Sequence, residues 1–169
     1  MMVRPANDKD AAAICEIANT YIRDSAVTFN SIEKTEMMVR DEIAQTHDQK
    51  MAFFVAASKG EIVGYASYRP FRSGVGYART MEHSLAVLPG VQGQGIGRIL
   101  IKNLEKHAFE ARVGSLIGAI SAENPKALAF HQALGFVEVG RIPAAGWKFE
   151  RWIDLILVQK PLLTPQDKS

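Results

Sequence analysis

The sequence predicts a mixed α+β fold, in which a sheet of about seven strands is flanked by four helices. Seven short segments are rich in β-branched, aromatic and other apolar residues, and four longer ones repeat apolar residues at helical spacing. The elements follow the order β-α-α-β-β-β-α-β-α-β-β, which argues against a regularly alternating parallel fold. The chain has 169 residues, 47% of them hydrophobic, which suits one domain with a sizeable core.

The N-terminal half is predicted to contain three strands and two helices. Its elements are a strand at 1–6, helices at 8–22 and 33–47, and two strands within 51–70. Asn7 or Asp8 is expected to cap the first helix, because both side chains accept hydrogen bonds from free backbone N–H groups. The apolar face of that helix is expected to hold Ala11, Ile14, Cys15, Ala18, Tyr21 and Ile22. A turn at Lys59-Gly60 separates the two strands.

The C-terminal half is predicted to contain four strands and two helices. Its elements are a strand within 76–90, a helix at 93–111, a strand at 114–121, a helix at 123–136 and two strands within 136–160. The apolar face of the third helix is expected to hold Ile96, Leu100, Leu104, His107, Ala108 and Ala111. Asn124 is the expected cap of the fourth helix and Pro125 its first residue. We expect one domain over 1–162 and a flexible tail at 163–169.

Composition and charge argue against several classes of protein. The net charge of +2 is too small to suggest binding to nucleic acid. The single cysteine, Cys15, allows no internal disulfide, fits a reducing compartment and is expected to be buried. No apolar run is long enough to span a membrane, and the charged N-terminus lacks a signal-peptide core. We therefore expect a cytoplasmic protein with no metal site and no nucleic-acid or membrane partner.

A glycine-rich segment, 91–101 (VQGQGIGRILI), opens the third predicted helix. Gly93, Gly95 and Gly97 are spaced G-x-G-x-G, which matches neither the dinucleotide-binding fingerprint nor a phosphate-binding P-loop. The first N–H groups of a helix lack internal partners and carry the positive end of the helix dipole. Glycines there allow an anion to approach closely, and Arg98 adds positive charge. The segment therefore indicates an anion site; the alternative is a turn needed only for tight packing.

Residues 92–97 (QGQGIG) match the pattern Gln/Arg-x-x-Gly-x-Gly/Ala, the acetyl-CoA signature of the GCN5-related N-acetyltransferase (GNAT) superfamily. Three longer segments, 80–101, 120–136 and 144–159, together resemble its phosphinothricin and methionine sulfoximine acetyltransferase branch. The resemblance extends over about residues 3–162. It implies the acetyl-CoA N-acyltransferase (GNAT) fold, a homodimer, and transfer of an acetyl group from coenzyme A to a primary amine.

The same resemblance assigns residues to acetyl-CoA, the expected cosubstrate. In this family the fourth and fifth strands diverge, and the pantetheine arm lies along unpaired backbone of the fourth. The pyrophosphate lies on backbone N–H groups at the start of the third helix, and Asn124 matches an asparagine that contacts the arm, with a simple helix cap as the equal alternative. The residues implied are Leu85, Ala86, Val87, Gly93, Gln94, Gly95, Ile96, Gly97, Arg98, Asn124 and Ala133.

Two residues are candidates for catalysis. A thioester transfers its acetyl group to a neutral amine, whereas small amines are mostly protonated at neutral pH. Glu82 matches the candidate general base of the relatives; the alternative is a structural partner for an arginine. His131 stands where many members of the superfamily have a tyrosine that protonates the departing thiolate, and a histidine can donate a proton near pH 7. The alternative for His131 is a local hydrogen bond in its helix.

Substrate contacts follow from the resemblance alone. The residues implied are Arg72, Ser73, Gly74, Glu82, His83 and Ser84. The Arg72 guanidinium would hold a carboxylate, with a solvated surface arginine as the alternative. His83 faces away from Glu82 on a strand, as a packed or a substrate-lining residue. Phe29 and residues 147–149 either wall the pocket or belong to the core or the dimer surface.

The sequence thus predicts an enzyme that acetylates the primary amine of a small amino acid or analogue, of the methionine sulfoximine, methionine sulfone or phosphinothricin type. Two other functions stay open. A protein N-terminal or lysine acetyltransferase would need an open groove in place of a small pocket. A non-catalytic acetyl-CoA-binding module would have no need of Glu82.

Overall fold

The computed structural model describes residues 1–163 and residue 167; the rest of the predicted tail, 164–166 and 168–169, lies outside the described residues. The predicted order of seven strands and four helices is confirmed. The strands are β1 (Met2–Pro5), β2 (Phe53–Ser58), β3 (Glu61–Pro70), β4 (Thr80–Val87), β5 (Ser115–Ser121), β6 (Val137–Lys148) and β7 (Arg151–Pro161). The helices are α1 (Ala11–Asp24), α2 (Glu36–Asp48), α3 (Ile96–Glu110) and α4 (Pro125–Ala133).

The seven strands form one sheet in the order β1-β2-β3-β4-β5-β7-β6. Strands β4 and β5 are parallel and the other pairs along the sheet are antiparallel, so the sheet is mixed, as predicted. Helices α1 and α2 cover one face, where Ile14, Val39 and Val55 share a core. Helix α3 covers the other face and buries Leu100 against β5 residues such as Leu116, and α4 packs against the same core.

The boundaries of α3 differ from the prediction at both ends. The helix begins at Ile96 rather than at Gly93, because Gly95 at its N-cap has a left-handed φ of +80°, outside the helical range. Ala111 is the C-cap and is exposed, so it does not belong to the buried face that the sequence predicts. The glycine-rich segment is therefore divided between a loop at 91–95 and the start of α3 at 96–101.

The start of α1 is stabilised by a short 3-10 helix, Asp8–Asp10, that the sequence analysis did not predict. The Asn7 side chain accepts a hydrogen bond from the backbone of Lys9, and the Asp10 carboxylate accepts one from the backbone of Asn7. On α1 itself Ile17 is buried beside the predicted face. None of the helices in the described part of the chain is long and apolar enough to cross a lipid bilayer.

Strand β4 is paired with β5 over only part of its length. The ladder between them covers Thr80–Glu82 on β4 and Ser115–Ile117 on β5, and Glu82 is the last residue of β4 that has a partner there. On its other edge β4 stays paired with β3 as far as Val87. A cleft therefore opens between the C-terminal halves of β4 and β5, and the remainder of the site is arranged around it.

Candidate active site

The wall of the cleft formed by β4 presents backbone hydrogen-bonding groups. The Leu88 N–H donates to the Val63 carbonyl of β3 across 2.8 Å. Backbone groups on an antiparallel strand alternate in direction, so those of Leu85 and Val87 point away from β3 and into the cleft. The Val87 carbonyl accepts a hydrogen bond of 2.5 Å from the Tyr21 hydroxyl of α1. The cleft thus offers a strand edge to which an extended ligand with amide groups can bind.

Tyr21 and Gln92 form a hydrogen-bonded chain at the mouth of the cleft. The Gln92 Nε2 donates to the Tyr21 hydroxyl across 2.6 Å, and that hydroxyl donates to Val87. Burial raises the pKa of Tyr21, so the hydroxyl stays protonated as a donor. Tyr21 belongs to the predicted apolar face of α1, but its contact with Val87 joins residues 66 positions apart and was not predicted.

Residues 91–95, which precede α3, form the glycine loop. Its geometry distinguishes between an anion site and a turn needed only for tight packing, the two explanations that the sequence left open. Gly93 and Gly95 both have φ of +80°, and a Cβ added at either would meet nothing within 4 Å. A Cβ added at Gly97 would lie 3.1 Å from the Phe130 ring of α4. Gly97 is therefore required for packing, whereas Gly93 and Gly95 bound open space.

The first turn of α3 has backbone donors available to a ligand. Its N-cap, Gly95, has no side chain to accept from them, and the first hydrogen bond of the helix is that from Ile99 N to the Gly95 carbonyl, 3.1 Å. The N–H groups of Ile96, Gly97 and Arg98 consequently have no partner within the helix. Together with the helix dipole and the exposed Arg98 side chain, they suit a bound anion.

Glu82 lies where the cleft begins, on the sheet face covered by α1 and α2. Its side chain is 23% exposed, and its Oε2 is 3.7 Å from Nη2 of Arg69, its neighbour on β3. Arg69 is 73% exposed, and ion pairs that are solvated in this way contribute little to stability. The carboxylate is thus within reach of solvent and is held only loosely by a cation. The predicted alternative, a structural arginine partner for Glu82, has a candidate in Arg69.

His83 and His131 form a pair behind the cleft, on the face covered by α3 and α4. Their Nε2 atoms are 2.8 Å apart, and Nδ1 of His131 is 2.7 Å from the Ala127 carbonyl. A carbonyl only accepts, so His131 donates from Nδ1, and its Nε2, bare in a neutral ring, accepts from Nε2–H of His83. The second nitrogen of His83, Nδ1, is then a buried acceptor, and no described residue donates to it.

Burial keeps this histidine pair neutral. It lowers the pKa of both rings, and with the neighbouring His131 ring it brings the pKa of His83 to about 3. In the neutral pair neither nitrogen of His131 is a free donor, because Nδ1–H is bonded to a carbonyl and Nε2 is an acceptor. Proton delivery by His131, the role predicted from the resemblance, requires this pair to open or to gain a proton.

The other predicted cofactor residues lie at both ends of α4. The Asn124 Oδ1 accepts from Ala127 N across 3.1 Å, so Asn124 caps the helix, which leaves its side-chain NH2 group outside that bond. Ala133 is the last residue of the helix and is exposed. A ligand that touches both must therefore extend along the length of α4.

The predicted substrate segment at Arg72, Ser73 and Gly74 lies in the loop between β3 and β4 and is exposed. This loop joins β4 at Thr80, the end of the strand opposite to the glycine loop. Ser84, in the middle of β4, is also exposed. The structure therefore gives Arg72 the solvated surroundings that the sequence analysis named as its alternative.

Phe29 and residues 147–149 come together at one place. From the sequence they belong to the pocket wall, to the core or to the dimer surface. The Phe29 ring packs directly on Gly146, where it leaves no room for a Cβ. A cavity of about 280 Å³ adjoins this contact. Its lining residues are Ile22, Arg23, Ser31, Trp147, Lys148 and Phe149. In the described ranges, 1–163 and 167, no three His, Cys, Asp or Glu side chains are arranged to hold a metal ion.

Comparison with known proteins agrees with this architecture. The L-amino acid N-acyltransferase MnaT of Escherichia coli (strain K12) is 34% identical over 96% of this chain and 94% of its own. The L-methionine sulfoximine/L-methionine sulfone acetyltransferase of Salmonella typhimurium (strain LT2) is 32% identical over 96% and 95%. These two relatives match nearly the whole chain, as the resemblance implied.

Two solved structures share the fold over nearly the whole chain. A GNAT superfamily phosphinothricin acetyltransferase from Sinorhizobium meliloti, in complex with acetyl-CoA, superposes with a TM-score of 0.91 at 27% identity, covering 95% of this chain and 87% of that one. A ribosomal-protein-alanine N-acetyltransferase from Brucella melitensis superposes with a TM-score of 0.93 at 33% identity, covering 95% and 99%. Residues 15–136 match the model of the acetyltransferase (GNAT) family, and the chain belongs to that family.

Proposed function

We propose that this protein transfers the acetyl group of acetyl-CoA to the α-amine of a small amino acid or amino-acid analogue, such as methionine sulfoximine, methionine sulfone or phosphinothricin. The observation that carries the proposal is the position of Glu82 at the point where β4 leaves β5. A carboxylate there lies at the base of a cleft whose mouth is the glycine loop. Family membership and the names of the relatives support the same reaction.

The cosubstrate fits the residues present. The open space at Gly93 and Gly95 and the free N–H groups of Ile96 to Arg98 suit its pyrophosphate. The inward-pointing backbone groups of Leu85 and Val87 suit the two amides of the pantetheine arm, as in strand addition. Ala86 between them, Gln94, Asn124 and Ala133 complete the proposed contacts. When bound, acetyl-CoA supplies the activated acetyl carbonyl.

The chain's own contribution to the chemistry is proton transfer and orientation. Glu82 takes the proton from the ammonium group of the substrate, directly or through a water, so that the neutral amine attacks. The departing thiolate of coenzyme A is a modest base and leaves without an acid, or receives a proton from His131 after the pair with His83 has opened or gained a proton. Arg72, Ser73, Gly74 and Ser84 remain the predicted substrate contacts of this proposal. For His83 the packed alternative agrees with its 7% exposure and its hydrogen bond to His131.

A homodimer and a cytoplasmic location belong to the same proposal. Strand β6 is at the edge of the sheet, and several large apolar side chains on it and on β7 are exposed, namely Val137, Val139, Ile142, Trp147 and Trp152. A long apolar edge strand favours pairing with another chain. The free, buried thiol of Cys15 is in keeping with a reducing compartment. Light scattering at several concentrations tests the dimer, and Trp152→Glu is expected to favour the monomer.

A panel of amines with a thiol-release assay tests the reaction. It contains methionine sulfoximine, methionine sulfone, phosphinothricin, a polyamine and a peptide that begins with alanine. Rapid thiol release with the amino-acid analogues supports the proposal. Release with the peptide alone favours the second candidate, protein N-terminal acetylation. The similarity to the ribosomal-protein-alanine N-acetyltransferase from Brucella melitensis is the reason for considering it. Binding of acetyl-CoA with no release for any amine would leave a cofactor-binding module.

A further inference from the structure

Lys148 is a buried cation that has no acidic partner among the described residues. The residue is 3% exposed, and burial lowers the pKa of its ammonium group. Its Nζ donates to the Thr28 carbonyl across 2.9 Å and lies 5.2 Å from the centre of the Phe149 ring. Both contacts stabilise a cation, but neither neutralises it. No carboxylate of the residues that the structure describes forms an ion pair with it.

The neighbouring arginines are already paired with acids. Arg23, which lines the same cavity, forms an ion pair with Glu33, and Arg151, the partner of Lys148 across the β6–β7 hairpin, forms one with Glu123. A buried ammonium group without a counter-ion is costly, and such a group persists where a ligand or partner supplies the opposite charge. Lys148 is therefore the cation of this cavity that a bound anion would complete.

The cavity and the mouth of the cleft between β4 and β5 lie at the same end of the sheet. These strands are parallel, so their C-terminal residues, Val87 and Ser121, lie at the end of the sheet where they diverge. Strand β7 is antiparallel to β5 and begins at that end, and β6 ends there at Lys148. The last turn of α1 joins the two places, since Tyr21 bonds to Val87 while the next residue, Ile22, lines the cavity.

We infer that Lys148 binds the acid group of the amine substrate in this cavity, and thereby selects amino acids over simple amines. The inference rests on the proposed function and names the residue that recognises the acid group of its substrate. A volume of about 280 Å³ suits a small ligand rather than a larger one. Arg72, the cation assigned from the resemblance, is by contrast exposed, as a solvated surface arginine is.

The test compares methionine sulfone with its carboxamide as substrates at saturating acetyl-CoA. Lys148→Met keeps the length of the side chain and removes the charge. We expect kcat/KM for the acid to fall roughly 10- to 150-fold, which is the range for losing a hydrogen bond to a charged group. We expect kcat/KM for the carboxamide to change less than about threefold. Lys106→Met, at an exposed lysine of α3, is the matched control and should change neither value.

The possible outcomes separate the inference from the proposed function. If Lys148→Met lowers kcat/KM equally for the acid and the carboxamide, or for neither, Lys148 does not bind the acid group. If Arg72→Met loses the preference for the acid instead, that role belongs to Arg72. If the wild type acetylates no amino acid, the proposed function fails. The cavity is then judged by calorimetric binding of γ-methylsulfonyl butyrate, which has the acid group but no amine. Binding to the wild type and not to Lys148→Met supports the inference, and absence of binding to the wild type contradicts it. If Lys148→Met does not fold, Lys148→Gln takes its place.

Discussion

Glu82 and His83 are adjacent on β4, yet they lie in opposite surroundings. Glu82 faces α1 and α2, is partly exposed and meets only a solvated arginine. His83 faces α3 and α4, is 7% exposed, and donates to a second buried histidine. One residue remains open to water and to a substrate, whereas the other is enclosed by protein. A histidine has the more suitable pKa for proton transfer near neutral pH, but here its surroundings prevent that use.

The difference shows that environment, rather than residue type, selects the catalytic base. The pKa of His83 is about 3, so its ring is neutral at neutral pH, and its bare Nδ1 lies inside the protein. Glu82 has no such enclosure, and it lies where β4 leaves β5. Substitutions on the Glu82 face should therefore change activity, and substitutions on the His83 face should change stability.

The largest expected effect is on the Glu82 face. Glu82→Gln preserves size and removes the basic group, so kcat/KM should fall roughly 10²- to 10⁴-fold, the range for loss of a general base. The affinity for acetyl-CoA, measured by calorimetry, should change little. Glu61→Gln at the exposed start of β3 is the control and should keep full activity. Near-normal turnover of Glu82→Gln from pH 6 to pH 9 would show that the carboxylate has a structural role only.

The next effect is on the His83 face and concerns stability. A Cβ added at Gly118 would lie 2.8 Å from Cγ2 of Val158 and 2.9 Å from Cε1 of His83, so Gly118→Ala must displace one of them. Overpacking of this kind costs about 1–3 kcal/mol, and we expect the upper end because both sides are closed. Urea denaturation measures the loss. The control is Gly76→Ala, where an added Cβ meets nothing within 4 Å; equal stability of the two variants would contradict the tight fit around His83.

The histidine pair should also make stability depend on pH. The pKa of His83 is about 3 in the folded chain and near 6.5 when unfolded, so between these values only the unfolded chain binds the proton. Stability must therefore decrease as the pH falls below 6.5. At pH 5 the loss amounts to about 2 kcal/mol from His83 alone. Urea denaturation at pH 7 and pH 5 should show a smaller difference for His83→Gln than for the wild type.

The comparison needs a histidine that is not enclosed. His47, near the end of α2, is exposed, and His47→Gln should retain the full pH dependence of the wild type. If His83→Gln and His47→Gln lose the same amount of stability between pH 7 and pH 5, the enclosed pair is not the source of the effect.

The sequence predicted the parts of this arrangement that local pattern determines. The alternation of Glu82 and His83, the glycines of the loop and the order of the strands all follow from spacing and composition within short segments. The same information located Asn124 as a cap, because a cap and its helix are adjacent in the chain. The resemblance added the divergence of β4 and β5, which the incomplete ladder between them bears out.

The contacts that the sequence did not predict join distant positions. His83 meets His131 across 48 residues, Tyr21 meets Val87 across 66, and Lys148 donates to Thr28 across 120. Each depends on strand register and on how helices pack on the sheet, which no single segment specifies. Lys148 shows the consequence most clearly, since a lysine in an edge strand is ordinarily a solvated residue. It is buried here because the α1–α2 loop packs against the β6–β7 hairpin.

The smallest expected effect decides how the Glu82 result is interpreted. Arg69→Gln removes the one cation that the described residues place beside Glu82, at 3.7 Å and 73% exposed. Exposed ion pairs contribute about 0–1 kcal/mol, so kcat/KM should change less than about fivefold and stability by less than about 1 kcal/mol. Arg141→Gln is a matched control, because Arg141 forms an ion pair of the same length, 3.7 Å, with Glu138 on β6.

A structural role for Glu82 predicts a different pattern. If the carboxylate served only to hold Arg69, Arg69→Gln would reduce kcat/KM as much as Glu82→Gln, and the double variant would be no worse than either, because one interaction would be lost in all three. If Glu82 is the base, the single variants differ by at least tenfold, and removal of Arg69 from Glu82→Gln adds only its own small effect. Steady-state kinetics of the four proteins at one pH therefore distinguish a carboxylate that acts on the substrate from one that acts on its neighbour.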